Sequence, residues 1–463
     1  MGVVSTHSFV NHKGGVGKTT LTYQLSASYA TAHPDCNVLI MDATDIGDVL
    51  GGVYEKKARD TLRSLVPISN ITKLFLHCLS AAAHNTLRVS HRGDLSEKNQ
   101  SIVAEVIAHM PKKTAEVTSD TNDEAEDSQS LINLEEYAIP LQYVNHRLPK
   151  NIYLCPSGLD IEHSIPFSDT QCHDIIDVLL DSFRRTESEW KIFVDTDAAA
   201  EGRSNVYTLI ALGVSDFICL PLHADITDWY RVRPTLNDLH QLRSEDKSHA
   251  RVHLVLWNGL SVQFKHEYRM GASVYSTFTP TKAEQDILAC LNNLVFKEAQ
   301  QFPDMFLYYE GVKTSSEHFG KQCCLCIRNF GAVGVASKDT GVPIAMLSGG
   351  LVHGMHTAFT LNESTISHCR ENLEELVRAV DESNKLAEHF ENGKEITSPA
   401  KSVKKAGRKK NKTSPSSKAS DGVRYKTYSL RNKYPLRHRR KNASYNPYGE
   451  ILLEISGTST VAI

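Results

Sequence analysis

A chain of 463 residues with 41% apolar content can bury at least one sizeable core, with room for one large domain and appendages. No run of eighteen apolar residues occurs, which argues against a membrane span. Ten cysteines scattered through apolar stretches, as at Cys36, Cys155 and Cys219, point to reduced intracellular thiols and a cytoplasmic setting, not a disulfide framework. The net charge of −3 hides an asymmetry: residues 394 to 441 hold 17 Lys and Arg against Glu395 and Asp421, so an acidic body carries a basic tail.

In chain order, an apolar stub at Ser8-Phe9-Val10 leads into N-H-K-G-G-V-G-K-T-T, Asn11 to Thr20, and then into Leu21-Thr22-Tyr23-Gln24-Leu25. A strand, a glycine loop and a helix start thus follow one another directly. The loop begins too early for a removable secretory segment to precede it. Gly2 with Thr6 fits an N-myristoylation pattern, but Gly2 lies against the first strand with no linker, which argues against lipidation. Asn37 to Met41 is a second short strand, ending in Asp42. Residues 51 to 148 break the rhythm; they hold helix-compatible stretches and an acidic run from Glu116 to Asp127, and read as an insertion. Further strands are expected at Asn151 to Cys155, Trp190 to Val194, Asp216 to Pro221 and Val252 to Trp257, with a last one at Pro343 to Leu347. Helices are expected over 169 to 185 and 363 to 391. From Gly393 onward Ser, Pro, Lys and Gly dominate, and no fixed fold is expected before Asp421. Alternating strands and helices predict an α/β fold, a doubly wound, mostly parallel sheet with nucleotide at the carboxyl ends of its strands.

The loop is where chemistry is legible. Gly14, Gly15 and Gly17 let backbone N–H groups turn toward a phosphate without a Cβ in the way, and the following helix presents its positive dipole end to the same anion. Lys18 can reach the β- and γ-phosphates and the Thr19 hydroxyl can ligate Mg²⁺. The ordinary phosphate loop reads G-x-x-x-x-G-K-S/T; His12 stands where its first glycine would be, and a second lysine, Lys13, precedes the glycine pair.

K-G-G-x-G-K-T-T closely resembles the deviant Walker A motif of the ParA/MinD family of P-loop ATPases, and Asn11 fits the same pattern. The resemblance implies an ATP- and Mg²⁺-dependent enzyme that hydrolyses ATP slowly, a nucleotide-binding run of Gly14, Gly15, Val16, Gly17, Lys18, Thr19 and Thr20, and a catalytic Lys13 that reaches across an ATP-sandwiched homodimer. Val38 to Asp42 is similar to the family's second strand and Ile192 to Thr196 to its Walker B strand, so Thr19, Asp42 and Asp195 are expected around the metal. Asn151 to Gly158 and Ala211 to Leu222 are similar to two more family strands. Gly341-Val342-Pro343-Ile344 resembles the segment near the base pocket, which assigns Pro343, together with Asn258, to the nucleotide. The likeness spans residues 4 to 390 without the insertion, giving an ATPase domain over 1 to 392 and a basic tail over 393 to 463.

Departures bear on hydrolysis. The family's D-x-D switch becomes Asp42-Ala43-Thr44-Asp45 here, so either Thr44 or Asp45 fills the water-orienting position; Asp45-Ile46-Gly47 resembles the D-I-G of MinD-like members, which favours Asp45. The family's D-T-P-P becomes Asp195-Thr196-Asp197-Ala198. Asp45 and Asp197 also read as loop carboxylates that cap helices.

In the tail, Lys401 to Lys412 is a plain basic run, and Arg424 to Arg440 interleaves Tyr425, Tyr428 and Tyr434 with Arg and Lys. Such a segment, 401 to 441, neutralises phosphates and stacks on bases, which fits nonspecific nucleic-acid binding at the nucleoid or in a nucleus; a localisation signal, an acidic-lipid anchor and self-association are the other readings. Cys323, Cys324 and Cys326 fit either a soft-metal site or a buried strand. Two function classes result: a ParA-like dimerising switch in partitioning or positioning, with an unidentified activating partner, and a metabolic or iron–sulfur-carrier ATPase of the same superfamily.

Overall fold

A computed structural model describes residues 4–44, 70–90, 132–143, 145–157, 167–198, 205–261, 278–308, 315–354 and 356–391, all within one compact unit, Met1–Ser398. Asp45, the acidic run from Glu116 to Asp127 and the tail from 393 onward lie outside the described residues.

The strands are β1 (Val4–Phe9), β2 (Asn37–Ala43), β3 (Ile139–Pro140), β4 (Ile152–Cys155), β5 (Trp190–Thr196), β6 (Phe217–Leu222), β7 (Arg251–Leu260), β8 (Cys324–Arg328), β9 (Gly350–His353) and β10 (Ala358–Leu361). Eight of them form one sheet in the order β3-β4-β2-β5-β1-β6-β7-β8. Every pairing in it is parallel except that of the short edge strand β3 with β4. β5 and β6 are buried at every position, as strands covered on both faces must be. Alternation sorts their side chains: Leu39 and Met41 of β2 and Ile192 and Val194 of β5 enter one core, while Val38, Ile40 and Phe193 enter the other.

The helices are α1 (Lys18–Ala32), α2 (Ile71–Ser90), α3 (Asp169–Arg185), α4 (Val206–Val214), α5 (Ile226–Tyr230), α6 (Val232–Ser244), α7 (Lys282–Gln301), α8 (Ser316–Cys323), α9 (Gly331–Thr340) and α10 (Glu363–Glu391). α3 starts where the sequence supplies a capping box, Ser168 with Gln171. α4 lies so close to α3 that a Cβ on Gly213 would come within 2.3 Å of the Ile176 side chain. α1 is buried along most of its length between the sheet and α10, and its polar residues cope by bonding back one turn: Thr22 to the Lys18 carbonyl at 2.9 Å, Ser26 to Thr22 at 2.7 Å and Ser28 to Gln24 at 2.8 Å.

Two sequence expectations need correction or completion. The expected strand at Pro343 to Leu347 is a 3-10 turn over Ile344–Met346, and the last strand of the large sheet is β8. Side chains take the backbone groups that a ladder would need: Gln24 Oε1 accepts the Ile344 N–H at 2.8 Å, and Arg370 donates to the carbonyls of Ile344 and Leu347. Within the expected insertion, Ile71, Leu74 and Phe75 of α2 join the same core as α3, so this part of it is built into the helical layer.

Candidate nucleotide-binding site

The phosphate loop leaves the carboxyl end of β1, between β5 and β6. Asn11 anchors it: the side-chain amide donates to the Pro221 carbonyl at 2.7 Å, and its oxygen accepts the Lys13 N–H at 2.9 Å. Gly15 and Gly17 have φ of 75° and 94°, the left-handed region that glycine alone enters cheaply. At Gly17 there is also no room, since a Cβ would stand 2.2 Å from the Asn258 amide nitrogen. Asn258, at the end of β7, donates that amide to the Val16 carbonyl at 2.8 Å and thereby braces the loop.

Gly14, Gly15, Gly17, Lys18, Thr19, Thr20 and Asn258 line one cleft of about 630 Å³. The Lys18 ammonium donates to the Lys13 carbonyl at 3.0 Å. Asp42 and Asp195 are wholly buried register partners at the ends of β2 and β5. Thr44 donates its hydroxyl to Asp42 at 2.6 Å. Asp197 Oδ1 accepts the N–H of the next residue, Ala198, at 2.7 Å, and no described helix begins there. Thr19 lines the cleft while Asp42 and Asp195 are not among its lining residues; all three carry the hard oxygen donors that suit Mg²⁺. Pro343 is not among the cleft-lining residues; its neighbour Ile344 donates its N–H to Gln24 Oε1 at 2.8 Å, and Gln24 lines the cleft.

The opposite wall was not foreseen. Arg328, Asn329, Phe330, Gly331, Gly334 and Lys338 close the cleft from the end of β8 and from α9. Its signal in the sequence is a second junction of strand, glycines and helix, at Arg328 to Gly334. Asp228 was also missed: it is wholly buried on α5 and forms an ion pair with Lys13.

Cys323 closes α8, Cys324 and Cys326 lie in β8, all three are buried, and burial pushes the Cys326 thiol up to about 12. Among the described residues no group of three or more His, Cys, Asp or Glu side chains is placed to hold a metal ion. Among them, too, no helix is long and apolar enough to cross a membrane.

No family model and no curated protein matches the chain. Solved structures do. The chain is similar to apo McdA from Cyanothece at 12% identity, covering 81% of this chain and 99% of that one with a TM-score of 0.44. It is similar to cobyrinic acid a,c-diamide synthase from Mycobacterium smegmatis with bound ATP analogue and magnesium, at 12% identity, 85% and 98% coverage and a TM-score of 0.39. A third is pNOB8 ParA bound to nonspecific DNA, at 13% identity, 83% and 99% coverage and a TM-score of 0.40. The K-G-G-x-G-K-T-T loop thus sits at the carboxyl end of a central strand in a mostly parallel sheet.

Proposed function

We propose that the protein is a ParA-like nucleotide switch: ATP and Mg²⁺ bind in the cleft, two copies close over the nucleotides, and slow hydrolysis separates them. The observation that carries this reading is the deviant loop, with Lys18 and Thr19 on the cleft wall and Lys13 carried outside the glycine cradle. Gly15 and Gly17 turn backbone donors toward the phosphates, and Lys18 supplies charge there. Thr19, Asp42 and Asp195 would hold Mg²⁺, directly or through water. When bound, the ion neutralises charge on the transferring phosphoryl group. Thr44 offers no carboxylate and its hydroxyl is engaged by Asp42, so orienting the attacking water falls to Asp45. Lys13 of each copy would reach the other copy's nucleotide.

The basic segment 401 to 441 is assigned to nonspecific DNA, because its lysines and arginines can displace counterions and its interleaved tyrosines can stack.

Sedimentation of the full chain with ADP, ATP and a non-hydrolysable analogue tests the switch. Dimer is expected with ATP and the analogue, and only monomer in Lys13→Ala. An analogue-bound wild type that stays monomeric would overturn the reading. Salt-sensitive DNA binding by the dimer, lost on truncation at Gly393, is the expected result for the tail; undiminished binding by the truncated chain would remove that assignment.

A further inference from the structure

The cleft runs along the carboxyl ends of neighbouring strands, and its two ends differ in chemistry. In the order β2-β5-β1-β6-β7-β8, Asp42 and Asp195 lie at the ends of the first two strands and the phosphate loop follows β1. Asn258 stands near the end of β7, and Arg328 closes β8. Three strand spacings, about 14 Å, separate β1 from β8. A nucleotide with its phosphates on the loop and its metal toward Asp42 and Asp195 therefore points its base at β7, β8 and α9. Adenine and guanine differ in what they show such a wall. Both present N7 as an acceptor, but guanine adds the O6 acceptor where adenine carries the N6 donor. A carboxamide, with a donor and an acceptor, matches adenine; a side chain that only donates matches guanine. Each carboxamide that lines the cleft is engaged elsewhere. Gln24 donates to the Ser337 hydroxyl and accepts the Ile344 N–H, both at 2.8 Å, Asn258 donates to the Val16 carbonyl at 2.8 Å, and Asn329 Oδ1 accepts the Gly331 N–H at 2.8 Å. The donor-only side chains on the same wall are in the opposite condition. Arg328 and Lys338 form no ion pair among the described residues, and Arg328 Nε is buried without a hydrogen-bond partner there.

We propose that Arg328, assisted by Lys338, makes the cleft prefer guanine nucleotides, the guanidinium donating to N7 and O6 of the base. This rests on the nucleotide-binding reading above and leaves its dimer mechanism unchanged. Arginine presents its donors as a rigid fork, which fits two adjacent acceptors on one base edge. A buried donor left without a partner is unfavourable, so a ligand that brings an acceptor to Arg328 recovers that cost and one that brings a donor does not. ATP still enters the cleft through the phosphates, which both nucleotides share, but its N6 amino group then faces cations that have no acceptor to offer. Phe330, on the same wall, adds an aromatic face that serves either purine alike and does not discriminate. Selection between the two nucleotides thus falls to the hydrogen-bonding edge, where Arg328 and Lys338 are the uncommitted groups.

Displacement of a fluorescent ATP analogue from the full chain by unlabelled GTP and by unlabelled ATP, with Mg²⁺ present, tests this in the wild type, Arg328→Gln and Lys338→Met. GTP is expected to compete about 10-fold more strongly than ATP in the wild type, within the discrimination that a bidentate arginine–guanine pair supplies. Arg328→Gln exchanges a donor-only side chain for one with a donor and an acceptor, so the order should invert and ATP should become the stronger competitor. Lys338 is exposed, so Lys338→Met leaves the core untouched, and it should narrow the advantage of GTP. A wild type that binds ATP as tightly as GTP, or more tightly, overturns the proposal while the nucleotide site stands. So does an Arg328→Gln protein that keeps the wild-type ratio, including one that loses both nucleotides in equal proportion, which would mark Arg328 as structural. If Arg328→Gln does not fold, the ratio in Lys338→Met decides, and an unchanged ratio overturns the proposal. An analogue that does not bind the wild type overturns the nucleotide site and this inference together.

Discussion

Gly17→Ala is expected to weaken nucleotide binding about 100-fold while leaving the protein folded. Three costs combine. Holding a residue with a Cβ at φ 94° costs about 1–2 kcal/mol. The added carbon would also lie 2.2 Å from the Asn258 amide nitrogen, so that side chain must swing off the Val16 carbonyl, forfeiting a hydrogen bond worth about 0.5–1.5 kcal/mol net. A loop that rotates to relieve either strain turns its N–H donors away from the phosphates. Titration with a fluorescent ATP analogue reads the loss, and circular dichroism confirms the fold. Undiminished binding by Gly17→Ala would mean that this loop is not the phosphate cradle.

Lys191→Met is expected to stabilise the protein by about 1–4 kcal/mol at neutral pH, the usual range when a buried charge gives way to a packed apolar side chain of similar size. Lys191 is buried in the middle of the sheet, where its ammonium donates to the Ser5 hydroxyl at 2.9 Å and lies 5.4 Å from the centre of the Tyr29 ring. Burial lowers it to about 7. An unfolded chain keeps that lysine protonated up to about 10.5. Between about 7 and 10.5 the unfolded state therefore binds the extra proton and stability climbs with pH; below about 7 the ammonium is charged in both states and its penalty is constant.

Two histidines add an acid limb. His7, bonded at 3.2 Å to Ser383, and His253, bonded at 3.1 Å to Tyr308, are both buried. Burial first, and Lys191 second, keep both imidazoles neutral well below their ordinary range, with His253 lowered to about 3. Their stabilising contribution is present above about 6.5 and drains away as pH falls below it, because the unfolded chain then takes protons that the folded chain refuses. Urea unfolding of the wild type should show stability rising through both windows. Lys191→Met should lose the alkaline slope and soften the acid one, since removing the ammonium relieves both imidazoles. A variant less stable than the wild type, or one with the same alkaline slope, would contradict this account of the buried cluster.

Much of the fold could be read from apolar runs because buried parallel strands and capped helices write themselves locally. β2, β4, β5, β6 and β7, and the helices at 169 to 185 and 363 to 391, lie where the residues suggested, to within a few positions. The failure at Pro343 to Leu347 has a tertiary cause: Gln24 and Arg370, hundreds and tens of residues away in sequence, claim the backbone groups that a strand would have shared. The site divides the same way. Gly14 to Thr20 announce their chemistry through spacing. Asp228 carries no local pattern, and the wall from Arg328 to Lys338 shows only a strand, glycines and a helix start, because what makes both part of the site is the approach of α5, β8 and α9 to a loop far away in the chain. Asn258 was assigned to the nucleotide base; its bond to the Val16 carbonyl ties it to the loop as well, a relation that only the folded chain reveals.

The serine- and threonine-stitched helix α1, clamped between the sheet and α10, makes one side of the phosphate loop a fixed anvil. Gly17 is the hinge pin at its edge, and everything beyond Lys18 is backed by close-packed interior that yields little. The other side of the loop, Asn11 to Lys13, is fastened instead to the segment that carries β6, α5 and α6, where Ile226 and Tyr230 of α5 are exposed.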